Sequence, residues 1–526
     1  MLSSPLKSQK IYLSDFTLMV FDECHHCNEG HPYNVVMNHV RGSKICPQIV
    51  GLTASTGSGK SKGGKINPED TLNHIIALCA RLMAVTISSV KIKQNVEDLL
   101  SKISQPVDAA ANASRKSFDV IIVGGGIVGC ATARDLKINK PHLNVGLIDK
   151  ESHVAAHQSG HNSGVLHAGI YYKPGTLKAK LCVEGIDLAY DYLQKKKIPH
   201  KKVGKLIVAT EEKEIPDLLT LYERAQQNKC REIQLIDGKR IKEIEPNCRG
   251  LRAIWSPYTG IVDWGLVTKY YANDFTDDGG EILFNHKLEK IELSSSGEYP
   301  VRISTSGTNT QLECKYLITC AGLHSDRVAR LSGCSRDPKI IPFRGEYLKL
   351  KPHMKNLVHT NIYPVPDPRF PFLGVHFTPN MNGDILLGPN AVLAFAREGY
   401  NYSKLSPKDV IDAVFYPGML KLMVKYAVFG SGEMWRSIYH RAQVKLLQRF
   451  IVPELKASDV ERGIAGVRAQ AMDAQGNLVD DFVFDGGVGD LGSRVLHVRN
   501  APSPGATSSL AIAKMVVEKA SEKFSL

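Results

Sequence analysis

The sequence of 526 residues has no run of 18 or more apolar residues, so no segment is long and apolar enough to cross a bilayer as a helix. Paired cysteine spacings are missing as well. The 11 cysteines are scattered along the chain, which reads as reduced thiols and argues against a disulfide framework or secretion. No repeat of 20 to 50 residues recurs, which excludes a solenoid or propeller. The opening MLSSPLKSQKIYLSDF lacks arginine, reaches Asp15 early and has no apolar core, so it reads poorly both as a transit peptide and as a signal peptide. Charge of one sign is nowhere concentrated. The excess is +13, yet residues 1–117 hold 13 basic and 9 acidic residues and the remainder is equally dispersed. Such a surface suits anionic substrates or a negatively charged membrane, whereas nucleic acid calls for a clustered basic stripe.

What is present is an ordinary folded composition, 43% hydrophobic and 23% charged, over a length that predicts two to four domains. FTLMVF at 16–21 and QIVGL at 48–52 read as buried strands, and 70–82 carries a helical apolar pattern. Residues 108–117 (DAAANASRKS) are small, polar and aperiodic, as in a linker. After them, 118–123 (FDVIIV), a glycine cluster, an alanine-rich helix from Cys130 to Ile138 and a strand Val145–Ile148 spell a βαβ unit. From about 175 to 452 helical and strand patterns alternate irregularly, with a proline-rich loop at 363–372, as expected of an α+β domain.

Gly124, Gly126 and Gly129 fit G-x-G-x-x-G directly after a strand. The spacing supplies a tight turn, close backbone approach to a pyrophosphate and close helix packing, with the helix N-terminus facing the phosphates. Asp149 ends the second strand about twenty residues on, where a carboxylate accepts hydrogen bonds from an adenosine ribose and disfavours a 2′-phosphate. FAD or NAD is therefore expected over NADP.

Longer segments decide between them. HQSGHNSGVLHAGIYY at 157–172 resembles the flavin-covering segment of the D-amino-acid-oxidase-like flavoproteins, and LITCAGLHSD at 317–326 resembles their second cofactor-side strand and turn. With RGLRAIWSPYTGIVDW at 249–264, PFRGEYLKLKP at 342–352, NIYPVPDPRFPFLGVHFTP at 361–379, GVRAQAMD at 466–473 and VLHVRNAPSPGATSSLAIA at 495–513, the chain from 118 to 526 resembles the L-2-hydroxyglutarate dehydrogenase family. Asp149, where a glutamate is also familiar, and Gly505, where alanine is common, are its modest departures.

The resemblance implies an α/β FAD-binding Rossmann-like domain (about 118–175, 310–335 and 460–526) with an α+β substrate domain (about 176–309 and 336–459). It implies FAD held by Gly124, Gly126, Gly129, Asp149, Ser163, Gly164, Gly322 and the helix start Gly505, Ala506 and Thr507, whose N–H groups suit the flavin edge that gains negative charge on reduction. The implied reaction is oxidation of L-2-hydroxyglutarate to 2-oxoglutarate, the C2 hydrogen leaving as hydride to flavin N5 while a base takes the hydroxyl proton. His161, His167 and His376 are the candidate bases, with no ranking among them. A five-carbon dicarboxylate calls for two cationic groups, and Arg344 and Arg468 are the candidates because guanidinium holds carboxylate bidentately; Tyr171 and Tyr172 are candidate pocket donors. The expected electron acceptor is a quinone or an electron-transfer flavoprotein. The apolar spacing over 410–428, with Lys421 and Lys425, suits peripheral membrane contact, and the implied compartment is the mitochondrion. An oxidase of the same fold acting on another 2-hydroxy or amino acid is the rival, separable by peroxide formation.

Residues 12–106 resemble part of the helicase core of the RNA-sensing DExD/H-box receptors, a partial α/β segment over 1–107. The carriers are FTLMVFDECHHC at 16–27, HPYNVVMNH at 31–39, PQIVGLTAS at 47–55 and LNHIIALCARL at 72–82. Asp22 and Glu23 take the Walker-B places and 53–55 the coupling motif. GSGKS at 57–61 does not supply the phosphate loop, since Ala54 stands where its first glycine belongs and the string follows the acidic box. Cys24, His25, His26 and Cys27 lack a second ligand pair, so no metal site is expected. An RNA-binding or signalling role would rest on this segment alone.

Overall fold

A computed structural model describes residues 18–21, 48–51, 115–307, 310–367, 374–401, 404–425, 440–451 and 455–526. The chain divides into two compact units, residues 1–109 and 110–526. In the first, the strands Leu18–Phe21 and Gln48–Gly51 pair in parallel. The helicase-like motif positions, the cysteine and histidine cluster and the helical pattern at 70–82 lie outside the described residues.

The second unit is built on two large mixed sheets. One has eight strands around a parallel core: Glu281–Leu283, Val145–Ile148, Arg115–Val123 and Gln311–Thr319 lie side by side, and Val495–Asn500 joins in parallel beside Leu317–Thr319. Alternation along Arg115–Val123 sends Val120 and Ile122 into one core and Ile121 and Val123 into another, as in a sheet covered on both faces. The helices Ile127–Asn139, Trp264–Asp277 and Ser509–Phe524 share the first of those cores. The hairpin strands Lys287–Leu293 and Val301–Ser306 face the second.

The other sheet has nine strands, in the order Val392–Leu393, Lys339–Leu350, Ile385–Gly388, His376–Pro379, Asn361–Pro364, Lys205–Ala209, Arg252–Ser256 and Gln234–Asp237, with Val460–Met472 alongside Lys339–Leu350. Lys339–Leu350 and Val460–Met472 pair in antiparallel register from Lys339 with Met472 to Leu350 with Val460. A small third sheet joins Val165–Leu166, Gly260–Val262 and His200–Lys201.

Three boundaries differ from the sequence reading. The first strand begins at Arg115, inside the expected linker, because Arg115 to Ser117 find partners in Gln311 to Glu313. Strands between 281 and 306 belong to the cofactor-side sheet and Val460–Met472 to the other, so the expected division at 309 and 460 is displaced: the chain crosses between sheets more often than its order suggests. Within 363–372, Tyr363 and Pro364 are strand residues, since Asn361–Pro364 lies between two partner strands.

Candidate active site

A cavity of about 1740 Å³ is lined from both sheets. Its first wall is the glycine turn. Gly124 has φ +115°, and a Cβ there would meet the Cys320 carbonyl oxygen at 2.4 Å. A Cβ on Gly129 would come within 1.9 Å of the Gly124 carbonyl oxygen; Gly129 thus stands behind the cavity and lets the helix close onto the turn. Gly126 caps the helix Ile127–Asn139, whose first turn carries no acidic residue, and Gly124 through Val128 line the cavity. Asp149 also lines it: one carboxylate oxygen accepts from Gly125 N at 2.5 Å and the other from Glu151 N at 2.8 Å.

The loop 157–172 covers this wall. Ser159 Oγ accepts from Ile127 N at 2.8 Å, and Ser163, His161, His167, Tyr171 and Tyr172 line the cavity. Gly164 stands behind it in a left-handed turn (φ +75°) whose carbonyl accepts from Val262 N. Gly322, Gly505, Ala506 and Thr507 complete the lining on the far side. Thr507 Oγ1 accepts from the backbone N–H of His167 at 3.1 Å, tying the start of the C-terminal helix to the loop.

The second wall is the nine-stranded sheet. Because Ile362 pairs with Phe377 in antiparallel register, Tyr363 and His376 stand opposite each other, and their rings stack at 3.8 Å and 16°. His376 Nδ1 faces the Gly374 carbonyl at 2.9 Å. A carbonyl only accepts, so Nδ1 carries the proton and Nε2 is bare. His376 is 3% exposed and is held down to about 3 by burial, with Lys205 and Arg468 adding to the effect. His167 lies well below its ordinary value by burial, then by Lys205, His376 and Arg468. His161 Nδ1 bonds the His157 carbonyl at 3.0 Å and its ring stacks on Tyr400.

The two arginines part company. Arg468 lines the cavity, and its side chain makes no hydrogen bond or ion pair with the described residues. Arg344 does not reach the wall. It is 2% exposed, and its Nε and Nη2 donate to Glu346 Oε1 at 2.8 and 2.7 Å. The expectation of a second substrate arginine at 344 is therefore corrected: a buried guanidinium finds its anion two residues along its own strand, where successive same-face residues meet. The sequence reading missed Lys205, Tyr363, Tyr347 and Lys178. Lys205 is 1% exposed, its Nζ 4.2 Å from the Tyr363 ring centroid, and burial lowers it to about 7. The available signal was a lysine heading the apolar run KLIVA, every residue of which is buried.

Near the adenosine end of such a cradle, Glu151, His157 and Glu398 bring ligand-type atoms together, but Lys150 Nζ is bonded by both carboxylates and His324 by Glu398. Both carboxylates are thus already paired within the chain.

A family model described as FAD dependent oxidoreductase (DAO) matches residues 119–519. The chain is 64% identical over 409 residues to the mitochondrial L-2-hydroxyglutarate dehydrogenase of Caenorhabditis elegans, covering 78% of this chain and 94% of that one. It is 53% identical over 423 residues to the Homo sapiens protein of the same name, covering 79% and 91%. Among solved structures it is similar to L-alpha-glycerophosphate oxidase from Mycoplasma pneumoniae with FAD bound, at 25% identity and TM-score 0.61, covering 78% and 95%. The glycine oxidase of Geobacillus kaustophilus shares the fold at TM-score 0.55, covering 77% and 95%.

Proposed function

The chain belongs to the FAD dependent oxidoreductase (DAO) family and, within it, to the L-2-hydroxyglutarate dehydrogenases, and from that premise we infer that it oxidises L-2-hydroxyglutarate to 2-oxoglutarate. The observation that carries the substrate is a cationic side chain on the cavity wall, Arg468, with the buried Lys205 behind it against His167, neither having a carboxylate partner among the described residues, beside two histidines that burial keeps neutral. A dianionic hydroxy acid complements that charge.

The residues fit FAD. The helix start behind Gly126 is free of acid and open to the cavity, as a pyrophosphate requires, and no Cβ intrudes at Gly124, Gly126 or Gly505. Asp149 would take the ribose, with Ser163, Gly322, Gly505, Ala506 and Thr507 along the remainder of the cofactor; Gly129 and Gly164 act by packing and turn geometry. FAD, when bound, supplies the two-electron acceptor for the hydrogen that leaves C2.

The chain's own residues do the rest. Arg468 holds a substrate carboxylate as a planar fork. His376 Nε2, bare because Nδ1 is committed to Gly374, accepts the C2 hydroxyl proton. Lys205 and Arg468 oppose protonation of His376; two substrate carboxylates offset that field, so the base gains proton affinity when the dianion is present. The Tyr171 hydroxyl, buried and without a partner among the described residues, is a further donor for the substrate, and Tyr172 lines the same side.

Exposed apolar side chains on and between the helices Pro407–Val414 and Pro417–Lys425, including Phe415 at 71% in the turn between them and Val424 at 83%, support peripheral membrane contact and a quinone as acceptor. Electron-transfer flavoprotein is the alternative acceptor. The compartment carried over from relatives named mitochondrial is the mitochondrion. Dye-coupled turnover with L-2-hydroxyglutarate, L-malate and L-2-hydroxyadipate tests the assignment. The five-carbon acid is expected to give the highest kcat/KM without stoichiometric peroxide; preference for a monocarboxylate, or peroxide at every turnover, would overturn it.

A further inference from the structure

Lys205 is a buried cation whose nearest polar neighbour is a histidine. Its Nζ lies 3.4 Å from His167 Nδ1, 4.2 Å from the Tyr363 ring centroid and 5.4 Å from that of Tyr171. The titratable and charged groups around it are His167 and Tyr171 of the covering loop, Cys182 of the helix Leu177–Lys195, Tyr363 and His376 of adjacent strands and Arg468 of Val460–Met472. No carboxylate is among them. Burying an ammonium without an anion is costly, and Lys205 is not itself part of the cavity lining.

We propose that Lys205 is a positioning residue for the oxidation. Its ammonium fixes His167 in the tautomer with Nδ1 bare and Nε2 protonated, so that His167 serves as a hydrogen-bond donor to the substrate and His376 alone of the pair serves as the proton acceptor.

The geometry runs through donor inventory. An ammonium has three N–H groups and no acceptor, so the ring nitrogen it faces accepts. A neutral imidazole with Nδ1 bare has its proton on Nε2, the nitrogen left for the cavity that His167 lines. His376 has the opposite assignment, Nδ1–H to the Gly374 carbonyl. One wall thus offers one donor and one acceptor, which a 2-hydroxy acid needs for its carboxylate and its hydroxyl respectively. The ring of Tyr363 packs between the Lys205 ammonium and the His376 imidazole, so Lys205 meets His167 directly and His376 through that ring. Burial lowers Lys205 to about 7; loss of its proton as pH rises through neutrality weakens both the hold on His167 and the attraction for a dianion.

The substrate part of this proposal rests on the function inferred above; the tautomer does not, and the experiment separates them. Nitrogen-15 NMR of histidine-labelled holoenzyme, with His167 assigned by comparison with His167→Asn, is expected to give an unprotonated Nδ1 and a protonated Nε2 for His167. In Lys205→Met that assignment shifts, kcat/KM for L-2-hydroxyglutarate falls about 10- to 100-fold, and its decline above neutral pH disappears. Lys205→Arg recovers part of both. A protonated Nδ1 on His167 in the wild-type spectrum overturns the proposal even if Lys205→Met does not fold, as does a folded, flavin-loaded Lys205→Met with unchanged tautomer and pH profile. The expected spectrum together with no turnover of L-2-hydroxyglutarate would instead sink the substrate reading and leave the tautomer standing.

Discussion

Tyr363 and His376 lie face to face across two antiparallel strands, ring centroids 3.8 Å apart, and the stack together with the Nδ1 bond to Gly374 fixes both the plane and the tautomer of the imidazole. A base held this way needs no rearrangement to meet a substrate hydroxyl. His376→Asn is expected to lower kcat by about 10²- to 10⁴-fold, the usual range for a positioned proton acceptor, with flavin content and KM little changed. Stopped-flow reduction of the variant checks this; a loss confined to KM would point to a binding role.

Arg468 and Arg344 should answer to different assays. Arg468→Met removes a guanidinium that has no described protein partner and is expected to reduce kcat/KM about 10- to 100-fold at nearly unchanged Tm. Arg344→Met takes the guanidinium from the buried Glu346 and is expected to cost about 3–5 kcal/mol of stability, with KM for the surviving enzyme close to that of the wild type. Thermal melts beside steady-state kinetics separate the two, and the reverse pattern would restore Arg344 to the substrate site.

Gly129→Ala tests the cradle. Its Cβ would fall 1.9 Å from the Gly124 carbonyl oxygen, and backbone cannot yield as a flexible side chain does, so the turn must open at a cost of about 1–3 kcal/mol or more. The expected variant is less stable and purifies with little flavin. A yellow protein of wild-type Tm would contradict this role for the glycine.

Stability should also depend on pH in a definite direction. His376 and His497 are held down to about 3 and about 4, both chiefly by burial, whereas in the unfolded chain each takes a proton near 6.5. Between about pH 6.5 and 4 the unfolded state therefore binds protons that the folded state refuses, and stability falls as pH drops, by about 1.4 kcal/mol per pH unit for each such histidine. Urea titrations at pH 7.5, 6 and 5 follow the slope. His497→Gln, which retains polar contact with the hydroxyls of Thr319 and Ser332, should reduce it by one histidine's share; an unchanged slope would exclude His497 as a source.

How legible this was depended on sequence distance. The strand Val145–Ile148 and the close backbone approaches at Gly124 and Gly129 follow from about thirty contiguous residues, within which spacing and hydrophobic alternation carry the geometry. The helix begins at Ile127, ahead of the expected Cys130, because Gly126 caps it directly. The helical pattern from 410, with its break near Pro417, is also present, as Pro407–Val414 and Pro417–Lys425. By contrast, the link from Thr507 to His167 spans 340 positions, and nothing local to either residue announces the other. Arg344 looked like a pocket residue because a buried arginine needs a reason; the reason is Glu346, two residues on, which the same strand brings to the same face. Lys205 was passed over because a lysine at the head of an apolar strand ordinarily reaches solvent, and it is enclosed by pairing of that strand on both sides, with Asn361–Pro364 and with Arg252–Ser256.

The most direct test is an anaerobic absorbance titration of the purified holoprotein across the flavin bands with L-2-hydroxyglutarate, the D-enantiomer and L-lactate. Bleaching by the L-enantiomer alone is the predicted result and would join cofactor, substrate and stereochemistry in one reading. A yellow protein that L-2-hydroxyglutarate leaves unbleached would keep the fold and contradict the function.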